Sequence, residues 1–256
     1  YRSFSPTDDP AGSWNIYWID ADAGQPGLWA DYTSIGIDRL GVYITANMWN
    51  RSDNFRNVTL FIYDQTDGFA GQPLDNTHLV DVLTQGGGSP FTLRPATLVE
   101  PSPGDEYYLA QTSSSFGSSL ELFRLTGDRY NNPSLSASTV SLPAFFFSPG
   151  GGRQPGDASV STLGSQLWNV YYRNGRLLTA QAIGATDITT WVHRIDVSQA
   201  PAVREQTYEI SEAGRDTFLP HVVPDHEDND FAMVSAFSGE DLHVTGRYWN
   251  IAADGK

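Results

Sequence analysis

Residues 30–50 read ADYTSIGIDRLGVYITANMWN, and residues 91–115 read FTLRPATLVEPSPGDEYYLAQTSSS. Each is an apolar strand, a short polar turn, and a second strand in which aromatic and polar residues alternate. The plan recurs although the letters do not. Four segments can be laid over one another on it. Residues 32–49 lead into NVTLFIYDQ at 57–65, and residues 92–113 lead into SSLELFRLTG at 118–127. Residues 158–183 lead into TTWVHRIDVS at 189–198, and residues 217–238 lead into DLHVTGRYWN at 241–250. The spacing is roughly 60 residues, and self-similarity at such a period marks an architecture built by repetition.

Inside a unit the side chains alternate, as at Trp191, His193, Ile195 and Val197, the period of two of a half-buried strand. No 11-residue window carries an apolar face at helical spacing. Turn chemistry separates the strands. Asn174-Gly175 is a two-residue hairpin signal, and Asp67-Gly68 and the PGD at 103–105 read as further reversals. Such units predict an all-β fold: a β-propeller of four-stranded antiparallel blades, about four to five of them, alone or within a larger propeller. The rival architecture is a β-sandwich, or two of them. As a single domain over 1–256, the propeller divides into a partial blade at 1–30 and blades near 31–90, 91–155, 156–215 and 216–256.

Composition agrees with strands and turns. There are 7 Trp, 12 Tyr and 13 Phe beside 24 Gly, 15 Pro and only 2 Met, a mixture that suits strands and tight turns better than long helices. The net charge of −15 repels phosphates and anionic lipid headgroups, and no basic cluster offsets it. Nucleic-acid binding and electrostatic membrane anchoring are therefore disfavoured. The absence of cysteine excludes disulfides, thiolate nucleophiles and Cys-ligated zinc. The longest apolar run, LPAFFF at 142–147, is too short to span a bilayer. The start at Tyr1, with no signal-peptide pattern, reads as a mature or trimmed terminus. Near-absence of Lys with abundant Asp, Ser, Thr, Asn and Gly fits a secreted protein.

Five segments carry a resemblance: SPTDDPAGSWNIYWID (5–20), DYTSIGIDRLGVYITANMW (31–49), GSQLWNVYYRNGRLLTAQ (164–181), WVHRIDVS (191–198) and VTGRYWN (244–250). They resemble large secreted bacterial β-propeller proteins, a family of largely uncharacterised members. The resemblance covers most of the chain and implies the propeller and a secreted or periplasmic location. Its motifs build blades and carry no catalytic signature. Members of that family begin earlier and continue further than this chain. The expectation that follows is that strands from 1–20 and 241–250 do not close one sheet, their edges being covered by further residues or a partner.

Candidate chemistry is sparse. The acidic turn PDHEDND at 224–230 offers Asp225, Asp228 and Asp230 as oxygen ligands for structural calcium, but it lacks the spacing of an EF-hand loop. Asp38, Glu100, Asp157 and Asp225 fall at comparable places in the units, in the inner strands or their turns. They are the carboxylates that a glycosidase-type pair, about 5–10 Å apart, would draw on. Five histidines, at 78, 193, 221, 226 and 243, could form a metal site only by tertiary convergence. No G-x-S-x-G is present. Trp14, Trp18, Trp29, Trp49, Trp168, Tyr171 and Tyr172 could stack on sugars, though most are expected to pack between blades. The sequons at 50–52 and 57–59 read as chance matches.

The functional expectation is a non-enzymatic binding module for a protein partner or a glycan, or an accessory subunit of a larger assembly, with no cofactor. The alternative is a carbohydrate-active enzyme, a glycoside hydrolase or polysaccharide lyase, with acids at the channel mouth. The periodicity yields a direct expectation in solution. Far-ultraviolet circular dichroism should be dominated by β structure, and a helical fraction above about a fifth would contradict the reading.

Overall fold

The structure is a computed structural model that describes residues 2–22, 24–112, 116–145, 149–225 and 230–252. It is all-β, with 57% strand and 5% helix. The first two short strands, β1 (Arg2–Phe4) and β2 (Asn15–Tyr17), pair with each other. Next, β3 (Leu28–Ile37), β4 (Gly41–Asn50), β5 (Phe55–Asp64) and β6 (Asn76–Leu79) form a four-stranded antiparallel sheet in chain order. The same order recurs in β7 (Arg94–Leu98), β8 (Tyr107–Thr112), β9 (Gly117–Asp128) and β10 (Asn132–Phe145). After a small hairpin of β11 (Gly152–Arg153) and β12 (Ser159–Val160), it recurs again. The third run is β13 (Val170–Arg173), β14 (Arg176–Ile183), β15 (Thr189–Asp196) and β16 (Val203–Ile210). Last come β17 (Asp216–Pro224), β18 (Phe231–Gly239) and β19 (Leu242–Ile251), a three-stranded sheet.

The second and third runs are joined. β13 pairs in parallel with β7, Val170 opposite Ala96 and Tyr172 opposite Leu98, so the two runs make one curled eight-stranded sheet. Parallel pairing needs a long connection between its strands, and here the whole of β8–β12 supplies it. First strands thus lie together at one edge of each run, β3 beside β7, β7 on β13, and β17 beside β13.

The core lies between successive sheets. Tyr43, Leu60, Tyr107, Phe123, Tyr172 and Ile195 belong to one buried cluster shared by the first three runs. Leu178, Val192 and Tyr208 meet Phe231 and Met233 in a second, between the third run and the β17–β19 sheet. Phe4, Ile44, Met48 and Phe61 form a third, on which Tyr17 and Ile19 of the amino-terminal segment pack. This explains the sequence of β4, which is buried from Gly41 to Met48. A strand covered on both faces reads as a nearly continuous apolar run.

Several turns follow from local chemistry. Asn174 and Gly175 both adopt positive φ, 48° and 73°, between the paired Arg173 and Arg176, as a two-residue primed turn requires. Asp67-Gly68, read above as a reversal, lies instead inside the helix α1 (Gln65–Ala70). Asp64 caps that helix by accepting from the amides of Thr66 and Asp67, and Gly71 ends it at φ 69°. No strand can follow at once because 71–75 is GQPLD, with Pro73 unable to donate to a ladder. β1 and β2 lie in a sheet separate from β19.

The first two runs meet through Tyr43 of β4 with Tyr107 of β8, and through Gly36 of β3 with Ala96 of β7. Tyr43 stacks on Tyr107 with ring centroids 3.5 Å apart, and the Tyr107 hydroxyl donates to the Ala96 carbonyl. Gly36 lies against that same carbonyl, where a Cβ would collide with the Ala96 oxygen and the Tyr107 hydroxyl. Gly36→Ala should therefore destabilise the protein by about 1–3 kcal/mol through overpacking. Chemical denaturation of the two proteins checks this, with an unchanged midpoint as the contrary result.

Candidate functional site

Four first strands meet at a cleft of about 390 Å³. β3 contributes Thr33 and Ser34, β7 contributes Arg94 and Thr97, and β17 contributes His221. The residues entering and opening β13 supply Trp168, Asn169 and Tyr171. Backbone irregularity places several of them. Tyr32, Thr92 and Leu219 have φ of 52°, 60° and 52°, each two residues before a cleft residue: Ser34, Arg94 and His221. Register shifts occur at Asp31/Ser34 in β3 and Phe218/His221 in β17. Bulges re-aim side chains, and left-handed non-glycine residues persist only where the surroundings enforce them. For Thr92 that enforcement is visible, since Asn47 accepts from its amide at 2.9 Å.

Asn169 fixes the β13 side of the cleft to β17. Its amide nitrogen donates to the Val222 carbonyl at 2.6 Å and its oxygen accepts from the Val222 amide at 3.1 Å. The side chain thus imitates a neighbouring strand. His221 lies with its ring centroid 6.0 Å from that of Trp168. Burial, and the nearby Arg94 charge, hold its pKa below the ordinary histidine value, so the ring is neutral at pH 7.

Arg94 is the centre of the site. Its residue exposure is 7%. Nε donates to the Leu167 carbonyl at 2.7 Å and Nη1 donates to the Ser34 hydroxyl. The guanidinium carbon sits 4.8 Å from the Tyr32 ring centroid and 5.7 Å from that of Trp168. Nη2 is buried without a hydrogen-bond partner, and so is Trp168 Nε1. Among the described residues, eight other arginines form carboxylate pairs, whereas Arg94 forms none. Burial disfavours the charged form and pulls its pKa down, partly offset by the Tyr32 hydroxyl, which favours that form. The cleft lining therefore brings together a cation, two unmatched donors and the Trp168 and Tyr171 rings.

The carboxylates suggested by the sequence lie elsewhere. Asp38 organises the β3–β4 turn: it accepts from the amides of Leu40 and Gly41 at 2.8 Å and from the Tyr43 hydroxyl at 3.1 Å, with Arg129 at 3.7 Å. Glu100, between β7 and β8, accepts from the Asn174 amide and so ties two turns together. Asp225 closes the β17–β18 turn by donating its amide to the Asp230 carbonyl at 2.9 Å. Asp157 departs from this pattern. It sits in the β11–β12 hairpin, and the corresponding first-to-second-strand turn of the third run is Asn174-Gly175. None of the four lines the cleft. Of the calcium candidates, Asp225 and Asp230 bracket their turn and Asp228 lies outside the described residues. Among the described residues no group of three His, Asp or Glu gathers as metal ligands.

Of the aromatic candidates, Trp168 and Tyr171 reach the cleft. Trp14, Trp18 and Trp29 are exposed, Trp49 packs on Phe55 and Phe91, and Tyr172 stacks on Tyr108. Sequence reading passed over Arg94 and Ser34. The available signal was an arginine opening the largely apolar strand RPATL at 94–98, since a buried charge requires a reason. A second hollow of about 360 Å³, lined by Tyr17, Trp18, Asp20 and His78 among others, holds none of the unmatched donors.

His193 is a separate case, fully buried on β15. Gln181 Nε2 lies 3.1 Å from its Nε2, and its Nδ1 lies 2.9 Å from the Thr207 hydroxyl. An amide nitrogen can only donate, so Nε2 accepts and Nδ1 carries the proton. Burial, aided by the Arg204 charge, lowers its pKa from 6.5 to about 3. Between those values the unfolded chain binds a proton that the folded chain does not, so this stability is complete above pH 6.5 and is lost as pH falls toward 3. Denaturation at pH 6.5 and pH 5 should show wild type losing about 2 kcal/mol more than His193→Gln. Equal losses would contradict the assignment.

Comparison with known proteins finds no matching family model, no matching curated protein and no matching solved structure.

Proposed function

We propose that this chain is a secreted or periplasmic, non-enzymatic β-propeller that holds a glycan in the cleft between its first strands. On this reading the three four-stranded runs and the β17–β19 sheet are blades, with the amino-terminal segment belonging to a further one. Support for the propeller comes from the repeated antiparallel order and from the faces buried between successive sheets. The side-by-side placement of β3, β7, β13 and β17 supports it too. Support for the location comes only from the composition and the resemblance described above.

One observation carries the functional reading. The cleft combines the Trp168 and Tyr171 side chains with the neutral polar groups of Thr33, Ser34, Thr97 and Asn169, and among the described residues no carboxylate lines it. Sugars present apolar ring faces edged by hydroxyls, and such a lining matches both. A glycosidase of the common kind needs two carboxylates about the scissile bond, so the lining favours holding over cleaving.

The test is tryptophan fluorescence or calorimetric titration against a panel of oligosaccharides, with each mixture assayed for reducing ends and unsaturated products. Binding without product release is expected, and Trp168→Ala should weaken it about tenfold or more. Steady product release would replace the binding module with the enzyme, and silence across the panel would remove the glycan reading.

A further inference from the structure

Two donors at the cleft lack an acceptor, and they are close together. Arg94 Nη2 and Trp168 Nε1 are both buried and both unmatched, and the Arg94 guanidinium carbon lies 5.7 Å from the Trp168 ring centroid. A buried polar group without a partner loses its hydration with nothing in return, and the loss is larger when the group is charged. Native proteins keep such groups where something fills the need. Two neutral donors could be served by water. A cation at 7% exposure, with no carboxylate paired to it among the described residues, is different, because buried charges are normally compensated by opposite ones. The chain has acids to spare, at 30 against 15 basic residues, yet among the described residues no acid lines the cleft beside Arg94.

From this geometry we infer that the cleft recognises an acidic sugar, a uronate-bearing oligosaccharide whose carboxylate accepts from Arg94 Nη2 and Trp168 Nε1. The inference rests on the glycan reading above and specifies its ligand. Ser34 fits the same scheme. Its oxygen already accepts from Nη1, which leaves its proton free to be donated to a bound carboxylate. Thr33 and Thr97 remain for the sugar hydroxyls, and the Tyr171 ring for a sugar face, Asn169 being held by Val222. A peptide carboxylate would satisfy the same cation, but it would leave this band of hydroxyl and amide groups without use. The overall negative charge gives an anion no steering from a distance, so its affinity must arise at contact, inside a screening length of about 8–10 Å.

The experiment titrates the full chain with trigalacturonate, with the same trisaccharide as its methyl ester, and with tri-glutamate. The acid is expected to bind about tenfold or more tightly than the ester, the amount a charge-assisted hydrogen bond commonly supplies. Arg94→Gln should abolish that ratio. Because loss of the Leu167 contact could unfold that variant, Trp168→Phe serves as the second test: it keeps an aromatic platform and removes the donor, so the ratio should fall severalfold while ester binding persists. Equal binding of acid and ester would overturn the carboxylate inference and leave the glycan reading standing. Binding of tri-glutamate in preference to both sugars would overturn both in favour of an acidic peptide, and no binding of any of the three at millimolar concentration would also remove both.

Discussion

The parallel pairing of β7 with β13 is the constraint on which the rest of the structure depends. It joins two antiparallel runs through their first strands, so that everything else in those runs must fan away from one line. β3 continues the line because Gly36 lets its backbone approach the Ala96 carbonyl, and β17 continues it through the Asn169 bridge to Val222. With the first strands gathered, the broad faces of the sheets have nowhere to go but against each other. The three large apolar clusters are those contacts. Burial of that area is the main stabilising term, as in any protein of this size.

The same gathering creates the cleft. Strands that carry bulges cannot pack flush, and the left-handed residues Tyr32, Thr92 and Leu219 interrupt three of the four lines at comparable points. Each costs on the order of 1–3 kcal/mol if unsupported. Elsewhere the protein resolves its charges conservatively. Arg153 is held by Asp216 at 2.9 Å and Asp187 at 2.6 Å, which fastens the β11–β12 hairpin to the last sheet. Arg129 is buried beside Asp38 and over the Tyr43 and Tyr107 rings. Against that background Arg94, buried like Arg129 but without a carboxylate pair among the described residues, is an exception, and it occurs where the backbone is also exceptional.

Local chemistry was readable wherever a few adjacent residues decide the outcome. The Asn174-Gly175 turn follows from two residues that tolerate positive φ. The strand carrying Trp191 and His193 follows from its period of two, but its burial does not alternate, since Thr190, Val192 and His193 are all buried. Where two local signals competed, the sequence was ambiguous. Asp67-Gly68 resembles a hairpin turn, but Asp64 three residues earlier is a helix cap, and the cap prevailed because no apolar strand follows to complete a hairpin.

By itself, then, the sequence determined an all-β chain of recurring antiparallel strands, their approximate positions, and the absence of cysteine chemistry. These are properties of neighbours in the chain, governed by side-chain alternation and turn conformation over a few residues. Only the tertiary structure decided that Asp38, Glu100 and Asp225 organise turns, that Asp157 falls in a separate hairpin, and that Arg94, Ser34, Trp168 and His221 share one cleft. The reason is physical. Those four cleft residues are separated by 53 or more positions in the chain, and their proximity is set by which strand lies beside which. That order follows from burying whole sheet faces and matching backbone hydrogen bonds, a sum over many residues that no short stretch contains.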